Sequence, residues 1–247
     1  MKSINKISKL KRIFRNNSFI KKNILPAYRI IRNYYRYSKV ALKKTNIDFP
    51  NPHEIFWIDP TLIKYHTIFN HSPDKDFAHS VFDMSNHDGK VIGGDWDLPK
   101  YKFQELKIFD AIKRRIKKNI DWKDTDWYQE LISEINSGYE CFGCINQDEL
   151  NQKCVKIDSL IKSIKEKGFI SHADRVKEYQ ESVGNPLIPD EITVNLGRNG
   201  EYLFQNGRHR LSIALILGIK SVPIKILVKH PDWVLKTKTK TKTKTNY

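Results

Sequence analysis

The run Asn206-Gly207-Arg208-His209-Arg210 concentrates residue types that hold a phosphate. Gly207 lets a ligand approach the backbone closely and permits a sharp turn. Apolar patterning places a strand before this turn and a helix after it. The first amides of that helix then point into the same space and favour an anion. Arg208, His209 and Arg210 crowd the helix start, where the macrodipole prefers acids. Each misplaced cation costs about 0.3–1 kcal/mol. A bound phosphate reverses that sign, because arginine forks match phosphate oxygens. The competing reading pairs these cations with acids elsewhere, such as Asp95 or Asp97.

Gly93-Gly94-Asp95-Trp96-Asp97 offers a second chemistry. Two carboxylates spaced i, i+2 behind two glycines suit Mg²⁺, or removal of a proton from an attacking hydroxyl. They suit equally well a tight turn whose acids cap the next helix or pair with Arg208 and Arg210. Glu54 and Asp59 are the other acids flanking an expected strand. Cys141-Phe-Gly-Cys144 and Cys154 make a C-x₂-C-x₉-C spacing. Structural zinc wants four ligands, and the chain has no fourth Cys, so buried thiols are the default. His66, His71, His79 and His87 match no metal-ligand spacing and read as surface loop.

The elements that must position these residues are legible in the apolar spacing. Residues 54–58 read as a strand stopped by Asp59-Pro60, and 66–90 as polar loop, with Val91-Ile92 a short strand. Leu106, Phe109, Ile112 and Ile116 predict a helix over about 103–118. Trp127, Leu131 and Ile135 mark a second, ending at Gly138. A third opens at Asp148 and stops at Gly168. Residues 172–181 read as a weaker polar helix and 184–189 as loop. The last third reads as strand (192–194), turn (Arg198-Asn199-Gly200), strand (201–204), Asn206-Gly207 turn, helix (208–217) closed by Gly218, and strand (222–228).

Within this last third the chain resembles a known superfamily. Residues 202–228, YLFQNGRHRLSIALILGIKSVPIKILV, are similar to the ParB/sulfiredoxin superfamily. ParB has a strand, Gly-Glu-Arg-Arg, and a helix with Ala where Ala214 stands. A Gly and an Ile-Pro strand follow, as at Gly218 and Val222-Pro223. Sulfiredoxin's Gly-Cys-His-Arg falls on Gly207-Arg208-His209-Arg210. The stretch LIKSIKEKGF resembles ParB's Ser-Ile-x-x-x-Gly segment. The resemblance covers about 155–229, with 54–60 as a weaker first strand. It implies a small mixed α/β fold and a bound nucleoside triphosphate: CTP in ParB, ATP in sulfiredoxin and the related free-serine kinases. It also implies phosphate contacts by His209, Arg210, Gly207 and the adjacent amides. Arg208 stands where sulfiredoxin has its nucleophilic Cys and ParB its Glu, so neither sulfinic-acid reduction nor ParB's hydrolytic chemistry is expected. No helix-turn-helix follows, and a ParB-type DNA clamp is not expected.

The chain has 247 residues, 39% of them hydrophobic, enough to bury a core. No window approaches 18 consecutive apolar residues, which speaks against a membrane-spanning helix. With no secretory pattern and three Cys, a reducing, cytoplasmic setting is expected. The net charge of +16 belongs to the ends. Residues 1–47 carry 14 Lys/Arg and no acid, and 236–247 carry five Lys and no acid. Taking those 19 from 44 leaves 25 basic residues against 28 acids in the middle. The first 45 residues read as a basic amphipathic arm with three candidate uses: an anionic membrane surface, nucleic acid, or packing on the protein's own core. The Lys-Thr repeat is expected to be disordered.

The expected protein is therefore α/β (α+β), a small mixed sheet of ParB/sulfiredoxin type with a helical region packed ahead of it. The arm spans 1–47, the globular part 48–235 with a helical insertion of about 100–182, and the tail 236–247. The expected ligand is ATP or CTP, held by Asn206, Gly207, Arg208, His209 and Arg210. Asp95 and Asp97 are the expected catalytic and Mg²⁺-holding acids. Phosphotransfer, hydrolysis and non-catalytic nucleotide sensing remain alternative outcomes.

Overall fold

The structure, a computed structural model, describes residues 54–66, 89–98, 101–171, 174, 191–237 and the main chain of 238–244. The basic arm, most of the histidine-bearing loop and nearly all of 172–190 lie outside these residues. Seven strands form one mixed sheet. They are β1 (Ile55–Ile58), β2 (Tyr65–His66), β3 (Lys90–Val91), β4 (Tyr101–Lys102), β5 (Ile192–Leu196), β6 (Tyr202–Asn206) and β7 (Val222–Lys229). Their order is β1-β7-β5-β6-β2-β4, with β3 paired to the C-terminal end of β7. β5 and β6 form an antiparallel hairpin, while β7 runs parallel to β5. The mixed α/β class read from the sequence is the class observed.

Five helices accompany the sheet among the described residues: α1 (Lys107–Lys118), α2 (Asp126–Asn136), α3 (Gln147–Lys167), α4 (Arg208–Leu217) and α5 (Pro231–Lys244). Local chemistry sets their ends. Thr125 caps α2 by accepting from the Tyr128 amide, and Asn146 caps α3 by accepting from the Glu149 amide at 2.8 Å. Gly218 closes α4 in the left-handed conformation, its amide returning to the carbonyls of Ala214 and Leu215.

Two apolar clusters meet at α4. Leu211 and Ala214 face the sheet with Ile192, Val194, Phe204 and Ile224. Ile213 faces the helical layer with Ile112, Trp127, Leu150 and Ile157. A helix buried on both sides shows no single apolar stripe, which is how α4 reads in sequence. Every residue of β5 is buried. Thr193 and Asn195 alternate with the apolar positions, and the Asn195 Nδ2 donates to Gln205 Oε1 on β6 at 2.7 Å.

Three elements differ from expectation. The Lys-Thr tail is helical through Lys244 instead of disordered. Pro231 opens the helix, Val234 is buried, and Thr237 Oγ1 donates back to the carbonyls of Trp233 and Val234. These contacts anchor the first turn, from which extension adds one hydrogen bond per residue. The two-residue strands β2 and β4 are absent from the sequence pattern. Their partners create them: β2 pairs parallel to β6 and antiparallel to β4.

Candidate anion-binding cleft

The turn between β6 and α4 is built on Gly207, whose φ of +90° lies in the left-handed region. A Cβ there would sit 3.1 Å from the Ile192 Cα, so the site excludes a side chain by conformation and by space. The Gly207 amide is held by the Asn206 Oδ1 at 2.8 Å. No side chain caps the start of α4. A cleft of about 440 Å³ opens there, lined by Asn206, Gly207, Arg208, His209 and Arg210 from this turn and by Phe142, Lys153 and Leu160 from the helical layer. Among the described residues, three permanent cations line it and no carboxylate does.

Each cationic side chain is positioned differently. The Arg210 guanidinium is buried and lies 3.5 Å from Glu191, whose own side chain is sealed from solvent. The Arg208 guanidinium carbon lies over the Phe142 ring, 4.4 Å from its centroid. Lys153 donates to the Phe142 carbonyl, with its ammonium 5.8 Å from the same ring. The His209 Nε2 is buried with no hydrogen-bond partner. Burial, then Arg208, Lys153 and Arg210, lower the His209 pKa to about 3, so its imidazole is neutral.

Asp95 and Asp97 stand elsewhere. Asp97 is fully buried and accepts from the Arg198 amide at 2.7 Å, from Nε at 3.0 Å and from Nη2 at 2.8 Å. Asp95 accepts from the same Nη2 at 2.8 Å. Burial raises the Asp97 pKa, but the Arg198 hydrogen bonds outweigh it and hold the carboxyl below its usual value. The same bonds raise the Arg198 pKa. The Gly94 carbonyl accepts from Arg198 at 2.9 Å and meets His230 Nε2 at 3.1 Å, so this knot ties 93–97 to the sheet and to the start of α5. Arg198 sits in the β5–β6 turn, whereas Asn206 pairs with Thr193 at the other end of the hairpin. At about 3.3 Å per residue, the knot is roughly 15 Å from the cleft along the strand. The catalytic and Mg²⁺-holding role expected of Asp95 and Asp97 does not fit this placement. Both Asp97 oxygens are consumed by Arg198, and the pairing with Arg208 or Arg210 is not made either.

The three thiols are buried. Burial and the neighbouring Glu134 push the Cys141 thiol up to about 12, and burial with Asp158 does the same for Cys154. Among the described residues, no three His, Cys, Asp or Glu side chains are grouped to hold a metal ion. His66 is buried in β2 rather than exposed in a loop, and burial lowers its pKa to about 4. Phe142, Lys153, Leu160 and Glu191 joined the site without a sequence signal, because each reaches it only through packing.

Fold and cleft together define an open mixed-sheet α/β protein with a basic cleft at a helix N-terminus. No family model, curated protein or solved structure matches this chain.

Proposed function

We propose that this protein binds a nucleoside triphosphate, ATP or CTP, by its phosphates in the cleft at the start of α4. The observation that carries the reading is the lining among the described residues: three permanent cations, a helix start without a side-chain cap and a glycine in the left-handed region, with no carboxylate. Arg208 supplies a fork for phosphate oxygens, and Lys153, beside the same Phe142 ring, a point charge. Arg210, anchored by Glu191, contributes field from the wall of the cleft. Binding an anion raises the His209 pKa, since the added negative charge offsets the surrounding cations. The resemblance to the ParB/sulfiredoxin superfamily read from the sequence of residues 155–229 would imply the same ligand.

Non-catalytic binding is favoured over phosphotransfer or hydrolysis. Phosphoryl transfer needs a group to orient or deprotonate the nucleophile and usually an acid to hold Mg²⁺. Asp95 and Asp97 are committed to Arg198, and a histidine with a pKa of about 3 is a hydrogen-bond partner rather than a base. For the arm, residues 1–45, we propose a polyanionic partner, nucleic acid or an anionic membrane surface, on its charge alone. Among the described residues, no helix is long and apolar enough to cross a membrane.

The test is a thermal-shift series with ATP, CTP, GTP and inorganic tripolyphosphate, with and without Mg²⁺, beside a phosphate-release assay. Ligand at a hundred times its Kd stabilises by about 2.7 kcal/mol. Stabilisation by a triphosphate without phosphate release is expected. No shift at millimolar ligand sinks the reading, and sustained release revives the enzymatic alternative.

A further inference from the structure

Phe142 occupies an unusual place for an aromatic residue. Cys141 and Cys144 exchange both main-chain hydrogen bonds, at 2.9 and 2.7 Å, closing a two-residue turn. Phe142 and Gly143 between them have φ of +50° and +81°. Positive φ at both central positions is the pattern of a type I′ turn, which favours Asn-Gly or Asp-Gly. A bulky side chain in the left-handed region costs about 1–2 kcal/mol. Such a residue persists where the surroundings hold it, and strain of this kind clusters at functional positions.

The surroundings that hold Phe142 are the cations of the cleft. Its carbonyl accepts from Lys153. One face of its ring carries the Arg208 guanidinium, and Trp127 meets the ring at 6.0 Å and 70°. A stacked guanidinium contacts the ring through its face and still donates in its own plane, toward whatever lies beside it. The turn thus brings Phe142 from the helical layer into the lining of the cleft, in contact with two of its three described cations.

We propose that Phe142 is a positioning residue of the cleft, whose ring holds Arg208 and whose carbonyl holds Lys153 where a phosphate is to be received. This rests on the phosphate-binding reading given above. The bland alternative is that the ring merely covers Trp127. Arginine orientation separates the two, because covering Trp127 requires apolar volume and not a π face.

The test measures binding of inorganic tripolyphosphate and of CTP to the full chain by calorimetry. Phe142→Leu keeps apolar volume and removes the π face, and Phe142→Tyr keeps both. Each is made alone and in an Arg208→Ala background. Phe142→Leu is expected to weaken tripolyphosphate binding about three- to tenfold, the scale of a cation–π contact. Phe142→Tyr stays within about twofold of wild type. In the Arg208→Ala background the Phe142→Leu effect shrinks, since coupled residues are non-additive. Unchanged affinity in Phe142→Leu overturns the inference and leaves the phosphate reading standing. An equal loss with and without Arg208 also overturns it, by reducing Phe142 to packing. Failure of the wild-type chain to bind either probe overturns both. If Phe142→Leu does not fold, Phe142→Met, with a more adaptable chain and no π face, takes its place in the same cycle.

Discussion

Replacing Asp97 by Asn asks whether this acid is chemistry or structure. The carboxylate is fully buried and takes hydrogen bonds from the Arg198 main chain and from two guanidinium nitrogens. Asn keeps one acceptor oxygen but turns an NH₂ toward donors that need an acceptor. Losing one hydrogen bond to a charged group costs about 1.5–3 kcal/mol, and an orphaned buried donor adds a further ~1–3 kcal/mol. Arg198 retains Asp95 and the Gly94 carbonyl, and its side chain is 24% exposed, so part of the second cost is recovered. The expected net loss is about 2–3 kcal/mol, which lowers Tm by roughly 4–12 °C for a domain of this size. The pH dependence has a definite sign. A carboxyl held below its unfolded value of 3.8 contributes stability above that pH and loses it as pH falls through the native value. The gap between wild type and Asp97→Asn should therefore be full at pH 7 and close below about pH 4. Circular dichroism melts across that range test the stability, and calorimetry with tripolyphosphate at 15 °C tests the site. A variant as stable as wild type would refute the structural account. So would a tenfold loss of tripolyphosphate affinity in protein that is still folded, because it would return Asp97 to the cleft.

Four further outcomes are expected. Arg208→Ala should weaken triphosphate binding by about 1.5–3 kcal/mol with little change in Tm, read by calorimetry and melting. Gly207→Ala should destabilise by at least about 1–2 kcal/mol, because a left-handed φ and the Ile192 backbone at 3.1 Å both oppose a Cβ; chemical denaturation measures it. His209 is neutral down to about pH 3 when folded but titrates near 6.5 when unfolded, so stability should fall as pH drops below 6.5; denaturation midpoints at pH 7 and 5 should converge in His209→Gln relative to wild type. Gly200→Ala should loosen α5, since a Cβ would enter the Trp233 ring at 2.3 Å, and tryptophan fluorescence should report the displaced indole.

The sequence carried the elements that neighbours in the chain can specify. α4 runs over the residues its pattern indicates because Gly207 and Gly218, both at positive φ, punctuate it without tertiary help. β5, β6 and β7 were legible as apolar runs between turn residues, and the chemistry of Arg208-His209-Arg210 was legible because basic residues at a helix start run against the helix dipole. Asp97 was misplaced for a physical reason. A carboxylate in sequence matches any arginine, and only chain closure brought it to Arg198, 101 residues away. The strands β2 and β4 share that origin, since two residues carry no period and exist as strands through their pairing. The helical Lys-Thr segment depends likewise on Val234 and Trp233 docking against the sheet's end. Phe142 and Lys153 reached the cleft through the packing of α3, and of the turn that precedes it, against α4. No periodicity records which residue of a helical layer will face a given turn. Tertiary structure alone decided it, because burial rewards area and shape without regard to separation along the chain.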